Sequence, residues 1–398
     1  MKNILYYLKR YGTTSLKQFP FNEVDSLILC QITYLNLESF FTKHQPISLL
    51  SLLSDEKAIE ELSSKTLSEK KNRKMLQILK TTTRYGGLWI DFFSNRFYVD
   101  KVEQFCSMTF LFDDFIYIAY RGTDITLLGW KEDFNMAFLE AVPSQVDAAR
   151  YLNRVYETYQ KPFYVGGHSK GGNLAVYATL HCEKRYLNDL LTVYNHDGPG
   201  FNRNLSNDPS FSFIKDMIEK TTCQQARIGI LMYYGEKMAF VKSRSVGIFQ
   251  HDPFNWKVTK NGRFHLVKYP AIFSRIFEKT IRNFLEITST EERKIFVDLL
   301  FDLLMESDQT TVLDMRKKPI SYLWGVRKRY RALSTKQKHF MRRVLKKYRS
   351  LWRQNTKYYF SFKRKKDEKK FKESIRKEEV YLIFYHKKNS NYFFADAT

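Results

Sequence analysis

The sequence predicts an α/β fold in which a mostly parallel central sheet is flanked by helices. From Phe105 onward, short apolar runs alternate with helical stretches, and Gly-rich turns end several of the runs. This alternation is typical of parallel sheets, because parallel neighbours need a crossover connection that is usually a helix. The chain has 398 residues, of which 43% are apolar, so it can bury a substantial core; this excludes a mainly disordered or collagen-like protein.

Residues 1–100 are expected to form a helical segment packed on that core. The run FNEVDSLILCQITYL repeats its apolar side chains at helical spacing, and residues 55–82 are rich in Lys, Glu and Leu with few helix breakers. Two glycines, Gly86–Gly87, then interrupt the helical pattern. We therefore place the boundary between this segment and the core near residue 100.

Residues 101–310 are assigned to the α/β core. CSMTFLF and FIYIAYRGTD are expected to form two strands joined by a tight turn at Asp113–Asp114. The later elements follow in chain order: helices at Leu127–Phe138 and Gln145–Tyr159, a strand in KPFYVGG, a helix in GNLAVYATLHC, a strand in LLTVYNH, a helix at Pro209–Lys220, a strand in ARIGILMYYG and helices over residues 271–306. Together they give the alternating order on which the fold prediction depends.

Residues 311–398 are predicted to form a basic, mainly helical extension, with a last apolar run, VYLIFYH, near its end. The formal net charge of the chain is +24, from 66 Lys and Arg against 42 Asp and Glu. Between Arg316 and Lys377 there are 25 basic and 3 acidic residues, a net of +22, and the other 41 basic and 39 acidic residues leave +2. The chain is therefore predicted to be a nearly neutral body joined to a strongly basic segment.

The cysteines and the hydropathy pattern predict that the protein is located in the cytoplasm. Four cysteines are scattered over the chain without CxxC spacing, which favours a reduced protein without structural zinc. The apolar run at the start is broken by Lys9 and Arg10, too early for the core of a signal peptide. The sequence contains no stretch of about 20 apolar residues, so it predicts no membrane-spanning helix.

One pentapeptide predicts a catalytic serine. Gly167-His168-Ser169-Lys170-Gly171 fits G-x-S-x-G, with an apolar strand before it and a helix after it, as a nucleophile turn requires. Gly167 and Gly171 are needed because a serine on so sharp a turn brings its neighbours' backbone very close. The competing interpretation is a turn chosen for packing or for phosphate binding, but no G-K-[ST] sequence supports a Walker loop.

A serine hydroxyl becomes a good nucleophile only when a base takes its proton, and an acidic side chain is needed to orient that base. Among the histidines after Ser169, His251 in QHDPFNW lies on a turn-like segment after the last apolar runs, where the base of such a site is expected. Glu236, after ILMYYG, is the first choice for the acid, and Asp197, after TVYNH, is the second. Asp252 is too close to His251 to orient its ring, so the sequence leaves Glu236 and Asp197 as alternatives.

Backbone N–H groups are expected to stabilise the oxyanion that forms during acyl transfer. The N–H of Lys170 opens the helix after the serine, where the helix dipole favours negative charge. The second donor is expected in the loop after an earlier strand, which AYRGTD supplies through the N–H of Thr123 or Asp124.

These stretches together resemble a known family. AYRGTD, GWKEDFNMAF, GGHSKGGNLA, HDGPGF and QHDPFNW are similar to the bacterial Mbeg-like proteins of the α/β-hydrolase superfamily, over roughly residues 15–300. The RGTD and GHSKGG pair is also similar to class 3 lipases. This resemblance implies Ser169 as nucleophile, Lys170 and the Thr123 region as oxyanion donors, and His251 as base. Class 3 lipases usually have Asp as the acid, so Glu236 departs from that pattern and the acid stays open.

The function predicted from these residues is a serine hydrolase that cleaves acyl esters, including those of lipids, without a metal or organic cofactor. The alternative is a non-catalytic binding protein that uses the basic segment on anionic lipid or nucleic acid. Residues 316–377 interleave Lys and Arg with Tyr, Trp and Phe. We favour an anionic membrane surface at the inner membrane face over nucleic acid, because an esterase that acts on lipid gains from being held at a bilayer and no RRM, KH or zinc-finger signature is recognised. A merely solvated charged helix pair is the third interpretation.

Overall fold

The computed structural model describes residues 2–41, 45–305, 310–317 and 319–364. Its helices are α1 (Ile4–Tyr11), α2 (Glu23–Ile32), α3 (Leu49–Leu52), α4 (Glu56–Ser63), α5 (Glu69–Leu79), α6 (Leu127–Asn135), α7 (Pro143–Tyr159), α8 (Lys170–His181), α9 (Pro209–Ile214), α10 (Ile272–Ile287), α11 (Thr290–Leu304), α12 (Val312–Lys317), α13 (Pro319–Ala332) and α14 (Thr335–Arg364). Its strands are β1 (Ile47–Ser48), β2 (Trp89–Tyr98), β3 (Glu103–Leu111), β4 (Ile116–Tyr120), β5 (Phe163–His168), β6 (Leu190–His196), β7 (Ile218–Cys223), β8 (Met238–Val241) and β9 (Leu266–Val267). The apolar run VYLIFYH lies outside the described residues.

Across the described residues, the nine strands form one sheet in strictly sequential order, with helices on its faces. Strands β4 to β8 are parallel, whereas β1 to β4 and the β8–β9 pair are antiparallel. The α/β prediction is confirmed as a mixed sheet flanked by helices. The sheet is less parallel than predicted, because the connections β2–β3 and β3–β4 are too short to cross over.

Two predicted elements near the site are wrong. ARIGILMYYG forms no strand; it is an irregular segment whose Ile230 and Met232 are buried. The strand lies earlier, in β7, and the helix predicted over Pro209–Lys220 ends at Ile214. An apolar run alone does not distinguish a strand from a buried loop. The sequence pattern does not identify β7 as a strand, because several of its residues are polar. Those residues are buried only because other side chains bind them.

The N-terminal segment packs against the sheet, and it also contains the long strand β2, which was not predicted. A buried group of polar side chains in this segment surrounds Asp25 on α2. The Asp25 carboxylate accepts hydrogen bonds from Arg84 Nε at 2.8 Å, Tyr85 OH at 2.5 Å and Tyr7 OH at 3.0 Å. The Arg84 and Asp25 side chains are both fully buried, so the ion pair depends on these added hydrogen bonds to offset the cost of burial. The contact joins three separate stretches of the segment.

The C-terminal helices pack on α10 and α11. Asn355 of α14 donates to Thr280 Oγ1 of α10 at 3.1 Å, and Lys347 donates to Glu292 at the start of α11 at 3.0 Å. Arg329 of α13 donates to the carbonyl of Leu303 at 2.8 Å. Within the described ranges, no helix combines the length and the apolar character needed to cross a bilayer.

Candidate active site

The turn at Ser169 has the strained geometry that G-x-S-x-G predicts. Ser169 lies between β5 and α8 with φ 60° and ψ −134°, in a region that L-residues rarely adopt. A Cβ on Gly167 would lie 2.1 Å from the backbone of Gly171, so the turn closes only because glycine is present. The side chain of Ser169 is half-buried at the carboxyl end of the parallel strands.

Parallel register places Asp197 beside the serine. His168 on β5 pairs with His196 on β6, so the residues that follow them, Ser169 and Asp197, lie side by side at the same edge of the sheet. The N–H of Ser169 donates to the carbonyl of His196 at 2.9 Å, which fixes this juxtaposition. Asp197 also has a positive φ, of 53°, so both strand ends turn sharply at this edge.

His251 meets Asp197 directly. Its Nδ1 lies 2.6 Å from Asp197 Oδ2, which leaves Nε2 as the ring nitrogen not engaged with the acid. The Asp197 side chain is fully buried, and the His251 side chain is 23% exposed. This pair therefore has one buried carboxylate that orients a partly accessible imidazole.

Several donors hold the Asp197 carboxylate ionised. Thr222 Oγ1 donates to Oδ1, and the N–H of Gly229 donates to the same oxygen at 3.2 Å. Burial by itself would raise the pKa of Asp197, but the hydrogen bond and charge of His251 and the hydrogen bond from Thr222 bring it below its usual value. The site thus supplies a stable negative charge beside the imidazole.

His168 packs on the candidate base. Its ring lies 4.4 Å from the His251 ring between centroids, and its Nε2 donates to the carbonyl of His251 at 2.9 Å. Burial, and then the neighbouring His251, lowers the pKa of His168 well below its ordinary value, so the ring is neutral. The residue before the serine therefore holds the His251 segment against the turn, a role that the sequence does not reveal.

Glu236, the first choice for the acid, does not reach His251. Its Oε1 lies 3.1 Å from Lys220 Nζ, and both side chains are almost fully buried. Glu236 precedes β8 and does not end a strand, because the predicted strand ARIGILMYYG is absent. The structure brings together His251 and Asp197, and it places Glu236 in a separate buried ion pair.

The proposed oxyanion loop approaches the serine closely. A Cβ on Gly122 would lie 2.8 Å from the Cβ of Ser169, so this backbone must be glycine. Two donors were predicted in this loop, the N–H of Thr123 and the N–H of Asp124. The N–H of Asp124 donates to Gln104 Oε1 at 3.3 Å. The N–H of Lys170, in the first turn of α8, has no carbonyl partner within its own helix. The N–H of Asp124 is therefore already bonded, whereas the N–H of Lys170 is left for an acceptor outside its helix.

Two further residues bind groups around the serine turn, and the sequence gives no signal for either. The hydroxyl of Tyr34 accepts the N–H of Gly122 at 3.1 Å and donates to the carbonyl of His168 at 3.2 Å. Glu132 accepts Lys170 Nζ at 2.8 Å and the N–H of Gln104 at 3.0 Å, all in the interior. Tyr34 thus joins the serine turn to the oxyanion loop, and Glu132 joins the start of α8 to β3.

The parts of the chain that the structure describes contain no group of three or more His, Cys, Asp or Glu side chains arranged to hold a metal ion.

A sharp strand–serine–helix turn at the carboxyl edge of the parallel strands, in a mixed sheet flanked by helices, defines a hydrolase-type fold. The chain belongs to the Mbeg1-like family, whose model matches residues 79–302. The resemblance predicted from the motifs is thereby confirmed. Among solved structures, the crystal structure of M37 lipase is similar at a TM-score of 0.33 and 14% identity, covering 53% of this chain and 69% of that chain. No curated protein sequence matches the chain.

Proposed function

We propose that the protein is a serine hydrolase that cleaves acyl esters, with Ser169 as nucleophile, His251 as base and Asp197 as the acid. The observation that supports this most is the hydrogen bond between His251 Nδ1 and Asp197 Oδ2 at the edge of the sheet where Ser169 makes its strained turn. The chain order of serine, acid and histidine is the one this fold class uses.

The proposed reaction proceeds through an acyl-enzyme. Ser169 Oγ forms a bond to the ester carbonyl carbon while its proton passes to His251 Nε2. The N–H groups of Lys170 and Thr123 donate to the oxyanion. The ester C–O bond then breaks, and the proton on His251 goes to the leaving alcohol. A water molecule gives a proton to His251 Nε2 while its oxygen bonds to the acyl carbon. The bond between that carbon and Ser169 Oγ then breaks, the proton on His251 returns to Oγ, and the acid leaves.

Exposed apolar side chains close in sequence to the site residues favour an apolar acyl group. Val246, Ile248 and Phe249 lie two to five residues before His251, and they expose 66%, 51% and 64% of their surface. Trp130 and Phe134, on the helix after the oxyanion loop, are each 44% exposed. Exposed apolar side chains of this size commonly mark a binding surface, which supports lipid esters among the substrates.

Turnover of p-nitrophenyl esters of increasing acyl length tests this function. We expect measurable hydrolysis by the wild type, with kcat/KM rising from acetyl to medium-length acyl groups, and no hydrolysis above background by Ser169→Ala. Equal rates for the two proteins would exclude Ser169 as nucleophile.

We further propose that the protein works in the cytoplasm. All four cysteines are buried as free thiols, which suits a reducing compartment. Fractionation of cells that produce the tagged full-length chain measures the location, and recovery from an extracytoplasmic fraction would contradict it.

A further inference from the structure

The outer face of α13 combines exposed apolar and basic side chains. Ile320, Leu323 and Trp324 expose 73%, 64% and 62% of their surface and recur at helical spacing on one side. Arg327 and Arg331 continue the same side one and two turns later and are exposed. The guanidinium of Arg327 lies 5.7 Å from the ring centroid of Trp324.

The opposite face of α13 is held against α11, which fixes the direction of the exposed face. Tyr322 is buried and its hydroxyl donates to the carbonyl of Leu304, while Arg329 Nε donates to the carbonyl of Leu303 at 2.8 Å. Tyr322 and Arg329 lie on the side of the helix away from Ile320 and Trp324. The apolar residues of the outer face thus stay in solvent while the helix is already packed.

The chain just before α12 and α13 is bonded to the segment that follows the oxyanion loop. The N–H of Leu127 donates to the carbonyl of Thr310 at 2.9 Å, and the N–H of Val312 donates to the carbonyl of Ile125 at 2.8 Å. Ile125 comes directly after the RGTD motif. These two bonds attach the start of the C-terminal helices to the chain that follows the oxyanion loop.

We propose that the outer face of α13 docks on a bilayer of anionic phospholipid. Ile320, Leu323 and Trp324 enter the interface between headgroups and acyl chains, and Arg327, Lys328 and Arg331 contact lipid phosphates. We choose anionic phospholipid as the partner because its charge is complementary to the basic side chains that adjoin the apolar ones on one exposed face. Single-stranded nucleic acid fits less well, since Ile and Leu gain nothing from base stacking.

Docking is independent of the proposed ester hydrolysis, so it is measured on the full chain and on Ser169→Ala alike. The probe is co-sedimentation with vesicles of phosphatidylglycerol and phosphatidylcholine in equal parts, against vesicles of phosphatidylcholine alone. We expect Ile320→Ser/Leu323→Ser/Trp324→Ser to lower the partition coefficient at least about tenfold. Arg327→Gln/Lys328→Gln/Arg331→Gln is expected to lower it about fivefold per charge removed.

The matched control is Leu67→Ser/Leu191→Ser/Phe213→Ser, which removes three apolar side chains that are 54%, 42% and 62% exposed elsewhere. It should bind vesicles as the wild type does. A second readout is quenching of Trp324 emission by brominated lipid, taken as the difference between the wild type and Trp324→Phe, which does not depend on a destabilised variant.

Three results would overturn the proposal. One is binding by the α13 apolar variant equal to that of the wild type, which would assign any binding to other basic residues. Another is wild-type binding that is absent or equal on neutral vesicles. The third is wild-type binding to single-stranded DNA as tight as to anionic vesicles, with both lost in the Arg/Lys variant, which would make the face a general polyanion site.

Discussion

At the residue scale, the two carboxylates considered for the triad face different partners. Asp197 Oδ2 lies 2.6 Å from His251 Nδ1, whereas Glu236 Oε1 lies 3.1 Å from Lys220 Nζ. A carboxylate that fixes an imidazole tautomer assists proton transfer, and one that neutralises a buried lysine stabilises the fold. Removal of each charge should therefore have a different effect.

Asp197→Asn is expected to lower kcat for ester hydrolysis by about 10³–10⁴-fold with little change in KM, because the amide no longer holds His251 in the required tautomer. Glu236→Gln should keep kcat within about threefold but lower the free energy of unfolding by about 3–5 kcal/mol, since Lys220 stays buried without its partner. Steady-state kinetics and thermal unfolding of both variants measure the difference. An inactive Glu236→Gln beside an active Asp197→Asn would contradict our choice of acid.

Asp133, beside the oxyanion loop, should make stability depend on pH. Burial raises its pKa to about 7, although the charge of Lys170 and the hydrogen bond from Thr123 act in the opposite direction. Because the pKa in the folded state is above the unfolded value, stability falls as the pH rises from about 4 to 7 and stays lower above that range.

Asp133→Asn should therefore have a higher Tm than the wild type near pH 8, and the gain should shrink near pH 5. The amide keeps an oxygen that accepts the Thr123 hydroxyl and carries no charge at either pH. Differential scanning fluorimetry at the two pH values measures the gain. A gain of equal size at both values would show that the carboxylate does not titrate in this range.

At the element scale, the turn between β5 and α8 depends on close backbone contact. In Gly167→Ala the new methyl group would lie 2.1 Å from the backbone of Gly171, so the strand or the helix has to shift. We expect a loss of stability of a few kcal/mol and loss of esterase activity. Gly87→Ala is the matched control, because a Cβ there meets no atom within 4 Å. Equal unfolding temperatures for the two variants would contradict the geometry of the turn.

The sequence predicts this turn well and the later strands poorly, for a physical reason. Around Ser169, an apolar strand, the flanking glycines and a helix with few breakers all point to the same local structure. In β7, by contrast, Lys220, Thr221 and Thr222 are buried because they bind Glu236, His196 and Asp197. Those partners come from elsewhere in the chain, so no local pattern identifies the strand. The preference for Glu236 over Asp197 rested on the same pattern, and the structure places Glu236 against Lys220 and Asp197 against His251.

At the scale of the whole molecule, the charge of +24 divides into a nearly neutral body and a basic C-terminal segment. The candidate active site lies in the nearly neutral body. The described part of the basic segment packs on α10 and α11 of that body through α13 and α14. The two parts should respond differently to salt, because screening weakens contacts between exposed charges much more than contacts within a packed site.

We therefore expect vesicle binding to fall steeply between about 50 and 500 mM salt, while hydrolysis of a soluble short-chain ester changes less than about twofold. Co-sedimentation and kinetics over the same salt series measure both quantities. Parallel loss of binding and of soluble-ester turnover would show that the basic segment is part of the catalytic site.

The nucleophilic role of Ser169, with activation by His251 and Asp197, is central to the proposed function. Its most direct test is the reaction of the full-length protein with a fluorophosphonate probe, followed by mass spectrometry of the labelled peptide. We expect one adduct, on Ser169, which the wild type forms, which Asp197→Asn forms much more slowly and which is absent from Ser169→Ala. No adduct on the wild type, or an adduct that persists in Ser169→Ala, would contradict it.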